Sequence, residues 1–235
     1  MILPYPPSPQ FDMDSKILDN QSIMKDRVVT QDNLTDSQTD DASQDINARI
    51  ACRVRALRTE LGLTLEALAA RSNVSRSMLS LVERGESSPT AVVLDKIATG
   101  LDVPLASLFD DGGAPPNPLS RRADRTAWRD PESGYIRRNI SPASFPSPIH
   151  IVEVTLPAGA SVAYETGARE ASIHQQIWVQ EGAIELTLGS VTYHLGADDC
   201  LAMQLNETTT FRNRTEQPAR YIVVLASDPL RAAKR

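Results

Sequence analysis

The chain has few of the residues that cross-link a protein or carry it through a membrane. It holds two cysteines in 235 residues, Cys52 and Cys200, which form no Cys-x-x-Cys pair. The sequence therefore indicates neither a disulfide framework nor a structural zinc site. No run approaches the roughly 18 apolar residues of a membrane helix, and the first residues lack the charge pattern of a secretory leader. We expect a cytoplasmic protein without a membrane partner, and two buried cysteines.

The chain also lacks a positive net charge, which is −6 at neutral pH. The first 45 residues account for all of it, because they hold three basic residues against nine aspartates. They are polar, start with a proline-rich stretch and have no sustained apolar period, so we predict a disordered acidic tail over residues 1–45. The remainder is neutral, and the acidic total does not exclude a nucleic-acid partner because repulsion fades beyond about 8 Å at physiological salt.

Apolar residues at helical spacing follow this tail. Ile46, Ile50, Val54, Leu57 and Leu61 form one stripe, and Thr64, Ser75 and Thr90 are suited to cap the helices that follow. The pattern predicts five short helices, over residues 46–61, 65–72, 76–84, 91–100 and 104–109. We expect them to form one compact all-α domain over residues 46–110.

The composition changes twice after residue 110. Residues 111–123 are rich in glycine and proline, which predicts a short, stiff linker. From residue 124 the helical signal ends and short alternating runs appear, separated by glycine turns, as in small barrels and sandwiches. The predicted strands cover residues 135–140, 149–156, 176–180, 184–188, 191–195, 200–205 and 220–225. We expect an all-β domain over residues 124–228 and a C-terminal tail over residues 229–235.

The second and third predicted helices have the spacing of a helix-turn-helix, in which the second helix of the motif enters the major groove of DNA. Arg76 could bind guanine through two hydrogen bonds, a contact that discriminates by about 1–3 kcal/mol, and Arg84 is suited to a phosphate. The candidate DNA-binding residues are Thr64, Ser75, Arg76, Ser77, Ser80 and Arg84. One such helix covers only a few base pairs, so we expect a homodimer on a two-fold double-stranded DNA operator.

Six short motifs in this region resemble, in order and spacing, the phage-repressor (Cro/C1) helix-turn-helix of the xenobiotic-response-element family of regulators. The motifs are Gly62-Leu-Thr, Ala67-Leu-Ala, Val74-Ser, Glu83-Arg-Gly, Ser88-Pro-Thr and Ile97-Ala. The resemblance implies an internal ion pair between Arg58 and Glu83, so Glu83 would fix the third helix and not contact DNA. Leu65 departs from the family, which often has a glutamine there that contacts the DNA backbone.

The second domain resembles a cupin barrel in three stretches, Gln175 to Gly189, Tyr193 to Cys200 and Thr209 to Asn213. Metal-binding cupins use histidines and a glutamate that face one cavity. The corresponding positions here fall near Arg169 and Ala171 and at Gln175 and Thr209, and none supplies such a ligand. His174 is the only histidine beside the motif, so we expect no metal site, no cofactor and no catalytic residue.

A barrel without a metal can still hold a small molecule. The candidate pocket residues are Arg137, Tyr164, Gln175 and Thr209, and an inward arginine would favour an anionic effector. The barrel is also a candidate dimer interface, through Trp178 or Tyr193.

These expectations describe a multi-domain protein with a disordered tail, an all-α five-helix DNA-binding domain and an all-β cupin-like barrel. We expect a sequence-specific transcriptional regulator whose barrel senses an unidentified small-molecule effector, dimerises the chain, or does both. Two alternatives stay open. One is a metal-independent cupin enzyme, an isomerase or lyase, with an attached DNA-binding arm, and the other is a ligand-free interaction scaffold.

Overall fold

The computed structural model describes residues 35–110, 117–142, 145, 147–165 and 173–227. Within these ranges no helix is long and apolar enough to cross a membrane. Most of the predicted acidic tail, the first six residues of the predicted linker and all of the predicted C-terminal tail lie outside the described residues.

Between residues 35 and 110, four α-helices and one 3₁₀-helix form the N-terminal domain. They are α1 (Thr35–Glu60), α2 (Leu65–Ser72), α3 (Arg76–Glu83), α4 (Ala91–Gly100) and the 3₁₀-helix (Leu105–Phe109). The prediction of five α-helices is therefore wrong at its last member, because a segment of five residues gains little from α-helical hydrogen bonding and adopts the tighter form. Thr64, Ser75 and Thr90 cap α2, α3 and α4, and each accepts a hydrogen bond from the backbone N–H three residues further on.

The first helix begins eleven residues before the start of the apolar stripe. Residues 35–45, predicted as part of the tail, belong to α1. A polar segment can continue an existing helix because each residue added after nucleation contributes a hydrogen bond. The stripe is buried as predicted at Ile46, Ile50 and Val54, which are each at most 4% exposed. Its last member, Leu61, is instead 49% exposed, because α1 ends one residue before it.

The second and fourth helices approach each other closely. A Cβ atom placed on Gly100 would lie only 2.8 Å from Ser72 Cβ, so the glycine permits the contact. Leu68 and Leu94 lie in the same core with no exposed surface. This packing holds the α2–turn–α3 unit in a fixed place on the domain, because a close-packed interior tolerates few alternative arrangements.

In the residues of the second domain that the structure describes, ten strands pair antiparallel. They are β1 (Ala127–Arg129), β2 (Ile136–Asn139), β3 (Ile149–Leu156), β4 (Ser161–Tyr164), β5 (Ile173–Glu181), β6 (Ile184–Leu188), β7 (Val191–Leu195), β8 (Cys200–Gln204), β9 (Thr209–Arg212) and β10 (Ala219–Ser227). One sheet has the order β1-β2-β3-β10-β5-β8 and the other β4-β9-β6-β7. Strands three to ten thus have the double Greek-key order of a jelly roll, the architecture of cupins.

The alternation of apolar and polar residues correctly predicted seven of these strands, and the predicted ends differ from the observed ones by up to three residues. Strands β1 and β4 were not identified, because three or four residues are too few to establish a period of two. Strand β9 was anticipated only through the cupin resemblance. Cys52 and Cys200 are both exposed, contrary to expectation, because one lies on the solvent side of α1 and the other at the start of the edge strand β8.

The two domains are packed against each other. Asp130 Oδ1, in the turn between β1 and β2, accepts a hydrogen bond from the Ala91 N–H at 2.8 Å. The rings of Phe109 and Trp128 meet edge to face with centroids 5.6 Å apart, and Lys96 forms an ion pair with Glu165 at 3.0 Å. The predicted linker therefore joins two domains that share an interface, which sequence patterns within each domain do not report.

Candidate DNA-binding surface and barrel cavity

The third helix buries one face and exposes the other. Leu79 and Val82 are at most 2% exposed and belong to the helical core. Five of the six candidate DNA-binding residues are exposed and Ser80 is half-buried. Asn73 ends α2 in the left-handed conformation, with φ of 53°, which turns the chain directly into the N-terminus of α3. The structure thus places the candidates along one polar surface formed by α3 and the N-terminus of α2.

Both arginines of this surface are paired with carboxylates. Arg76 forms an exposed ion pair with Glu66, and Arg84 contacts Glu86 at 2.7 Å and the Ser80 hydroxyl. Backbone hydrogen bonding at the start of α2, followed by the charge of Arg76, lowers the pKa of Glu66. Exposed pairs of this kind contribute little to stability, so either arginine can exchange its carboxylate for a phosphate or a base.

Arg58 and Glu83 form the ion pair that joins α1 to α3. Arg58 Nε and Nη2 donate to the two Glu83 oxygens at 2.6 and 2.8 Å, and Nη1 donates to the Leu63 carbonyl at 2.8 Å. The hydrogen bond to Glu83 raises the pKa of Arg58. Glu83 is turned inward and is not available to DNA. Leu65 is half-buried and packs against the core, a structural role that accounts for its departure from the family pattern.

The barrel contains a cavity that reaches the helical domain. The empty space inside it is about 660 Å³, including the part that opens to solvent. All four candidate pocket residues, Arg137, Tyr164, Gln175 and Thr209, line it. Strand register explains this convergence, because each occupies a position whose side chain faces into the barrel.

Arg137 is buried in the cavity wall. It is 6% exposed, and its Nε and Nη2 atoms have no hydrogen-bond partner among the described residues. Its guanidinium carbon lies 5.3 Å from the centroid of the Phe109 ring, a cation–π contact with the helical domain. Burial and the nearby charge of Arg137 both lower the pKa of His150, which favours a neutral imidazole.

Three tyrosines complete the polar part of the cavity. The Tyr164 hydroxyl donates to the Tyr135 hydroxyl at 3.3 Å, and Tyr221 stacks on Phe211 with ring centroids 5.7 Å apart. Burial raises the pKa of each of the three phenols, most of all for Tyr164 and Tyr221. They are neutral hydrogen-bonding groups and do not balance the charge of Arg137.

Two of the four positions that correspond to cupin metal ligands line the barrel cavity. Gln175 and Thr209 line the cavity, residues 169 and 171 lie outside the described residues, and His174 is exposed on the outer side of β5. His174 points away from the cavity because neighbouring residues of a strand face opposite sides. In the described part of the chain, no three His, Cys, Asp or Glu side chains are close enough together to hold a metal ion.

Sequence patterns missed the part of the cavity that comes from the helical domain. Asp95 on α4 lines the same space as the barrel residues. So do Pro104, which precedes the 3₁₀-helix, and Leu105, its first residue. No local signal identifies them, since their role depends on how the domains pack. Tyr135 and Tyr221 were also missed, although each lies at an inward position of the sheet and their alternation could have indicated it.

A helix-turn-helix with a polar, arginine-bearing third helix, fused to a cupin-like jelly roll, defines a class of DNA-binding regulators. Residues 54–108 match the helix-turn-helix family model. The chain is 25% identical over 172 residues to the HTH-type transcriptional regulator SutR of Escherichia coli, covering 73% of this chain and 91% of that protein. It is 39% identical over 59 residues to the uncharacterized HTH-type transcriptional regulator y4dJ of Sinorhizobium fredii, covering 25% of this chain and 77% of the relative.

A solved structure has a similar fold over most of the chain. It is a crystal structure of an HTH_3 family transcriptional regulator from Vibrio cholerae, with 24% identity and a TM-score of 0.65, and the match covers 78% of this chain and 98% of that one. The chain belongs to the helix-turn-helix (HTH_3, Cro/C1-type) family of transcriptional regulators.

Proposed function

We propose that this regulator binds a two-fold operator as a homodimer and that its barrel cavity binds a small effector which alters operator binding. The main observation in support is that one chain combines an exposed, arginine-bearing α3 with a cavity whose wall belongs partly to the same helical domain. The regulator relatives support a role without catalysis. Because operators lie on the chromosome, we expect it to act in the cytoplasm.

The first turn of α3 is the proposed base-contacting part. Arg76 and Ser77 lie there with exposed side chains, in the position from which a second helix of this motif contacts base edges. Arg84 lies at the other end of the helix, where a phosphate contact fits better. Thr64 and Ser75 accept capping hydrogen bonds. The Thr64 hydroxyl also donates to the Glu66 carboxylate and the Ser75 hydroxyl contacts the Ser77 hydroxyl, so each would exchange that exposed contact for a phosphate on DNA.

Dimerisation is proposed through the outer face of the six-stranded sheet. Trp178 is 46% exposed there, and its cross-strand neighbours are Ile222 on β10 and Cys200 on β8. An aromatic side chain surrounded by apolar neighbours on a sheet surface is typical of protein interfaces. Tyr193 is less exposed, at 37%, and lies on the edge strand β7.

The test begins with genomic footprinting of the purified full-length protein, followed by affinity measurements on the enriched site and on random DNA. Arg76→Ala should weaken binding to the enriched site by roughly 10-fold or more, with a smaller effect on random DNA. Arg84→Ala should weaken both by a similar factor and reduce the slope of log affinity against log salt by about 1.

Arg214→Ala is the matched control, since Arg214 is an exposed, ion-paired arginine of the barrel. Its DNA affinity should equal that of the wild type. If no genomic site is enriched over random DNA, the proposed function is wrong; equal losses on both DNAs for Arg76→Ala contradict the assignment of base contacts.

A further inference from the structure

The guanidinium of Arg137 is a buried charge that the described residues leave unbalanced. It forms no ion pair with any of them, and two of its nitrogens lack an acceptor. Asp95 lines the same cavity but already has a partner of its own. A buried charge without a partner strongly destabilises a protein. Because Arg137 lines the cavity, an anion bound there would supply the missing partner.

The rest of the cavity wall is mostly apolar. Leucine, valine and phenylalanine side chains line it around the arginine, and the adjacent phenols are neutral. A free inorganic anion would leave this surface without a partner. A molecule with one anionic group and an apolar body satisfies both parts of the wall, and the cavity opens to solvent, which gives such a molecule a way in.

The helical domain supplies one side of this site. Pro104 and Leu105 line the cavity from the segment that follows α4. Phe109 of the same segment makes the cation–π contact with the Arg137 guanidinium. A molecule bound between Arg137 and Leu105 would contact both domains at once, so its binding would depend on how they are packed.

We propose that the cavity binds a small organic acid, whose carboxylate pairs with Arg137 and whose apolar body packs against Leu105 of the helical domain. The bound acid bridges the barrel and the DNA-binding domain. This inference rests on the proposed effector site and adds the chemical class of the ligand and the helical residue that contacts it.

Titration calorimetry on the full-length protein tests the ligand class. The probes are hexanoate, octanoate, benzoate and phenylacetate, each paired with its neutral amide. At least one acid should bind, and its amide should bind at least 10-fold more weakly, as expected for loss of a charge-assisted hydrogen bond. Equal binding of acid and amide, or binding of no acid, overturns the inference.

Arg137→Gln should weaken binding of the acid by roughly 10- to 100-fold. Arg137→Lys keeps the charge without the planar pair of donors, so its affinity for the acid should lie between those of the wild type and Arg137→Gln. This second variant keeps the test decisive if Arg137→Gln folds poorly. Arg138→Gln is the matched control, because Arg138 is the next residue on β2 and pairs with Glu153 at 2.5 Å. An equal loss in Arg138→Gln would contradict the assignment to Arg137.

Leu105→Ala tests the contact with the helical domain. It should weaken phenylacetate or octanoate several-fold, whereas Leu119→Ala, at a leucine that is 54% exposed and outside the cavity, should have no effect. An unchanged affinity in Leu105→Ala overturns the bridging contact. If the protein binds its operator but no probe acid, this inference fails while the DNA-binding function stands; if it enriches no operator, the proposed function fails whatever the acids do.

Discussion

Arg58 shows how one residue fixes the orientation of α3, the helix proposed to contact DNA. It spans from α1 to both Glu83 at the end of α3 and the carbonyl of Leu63 before α2. Three hydrogen bonds from one planar guanidinium restrain all three elements at once. Arg76 and Arg84 form exposed ion pairs instead, so the same residue type has a structural role at Arg58 and a proposed binding role at the other two positions.

Arg58→Ala should lower the free energy of unfolding by about 3 kcal/mol, because it leaves the mostly buried Glu83 carboxylate without its partner. Chemical denaturation measures this change. Arg55→Ala, at an exposed position of the same helix, is the control and should change stability by less than about 0.5 kcal/mol. Similar stabilities for the two variants would show that the pair does not hold the motif together.

The N-terminus of the fourth helix is capped partly by a residue of the other domain. Its own cap Thr90 accepts from the Val93 N–H at 3.4 Å, while the barrel residue Asp130 accepts from the Ala91 N–H at 2.8 Å. Asp130 is 2% exposed, and its other oxygen is held by Ser133. A carboxylate at a helix N-terminus is favoured by the helix dipole. The barrel therefore stabilises the element that supports α2.

Asp130→Ala should destabilise the protein by about 2 kcal/mol, since the buried Ala91 N–H would lose its acceptor. Asp130→Asn should cost less, because an amide oxygen can still accept. Thermal unfolding compares both with Glu132→Ala, an exposed acidic residue two positions away. If Asp130→Ala unfolds at the same temperature as the control, the contact does not couple the domains.

At the scale of the whole molecule, the two domains form one body with a cavity at their junction. The ring contact between Phe109 and Trp128, the Asp130 cap and the cavity wall all cross the same boundary. The outer face of the large sheet lies on the surface of this body and exposes Trp178. Such an arrangement leaves the sheet face free for a second copy while α3 remains exposed for DNA.

Light scattering should give the wild type a mass of twice 25.7 kDa, and Trp178→Glu should give a monomer, because a charge in the centre of an apolar interface is poorly accommodated. Operator affinity should fall when dimerisation is lost, because the operator has two half-sites. Tyr193→Glu should remain dimeric. A monomeric wild type would contradict dimerisation, and a dimeric Trp178→Glu with a monomeric Tyr193→Glu would move the interface to β7.

The sequence by itself determined the local parts of this protein. Thr64 and Ser75 cap helices, Leu79 and Val82 are buried, and most strands follow their alternation, because capping and periodicity act between residues a few positions apart. Inward positions such as Arg137 and Gln175 follow from the same alternation once a barrel is assumed.

Only the tertiary structure decided how these parts combine. Asp130 and Ala91 are 39 positions apart, and Leu105 joins the cavity wall solely because the domains pack together. The early start of α1 has no apolar pattern to reveal it, and the 3₁₀ form after Pro104 follows from the length available to that segment. Contacts between distant residues depend on the packing of whole domains, which local patterns do not encode.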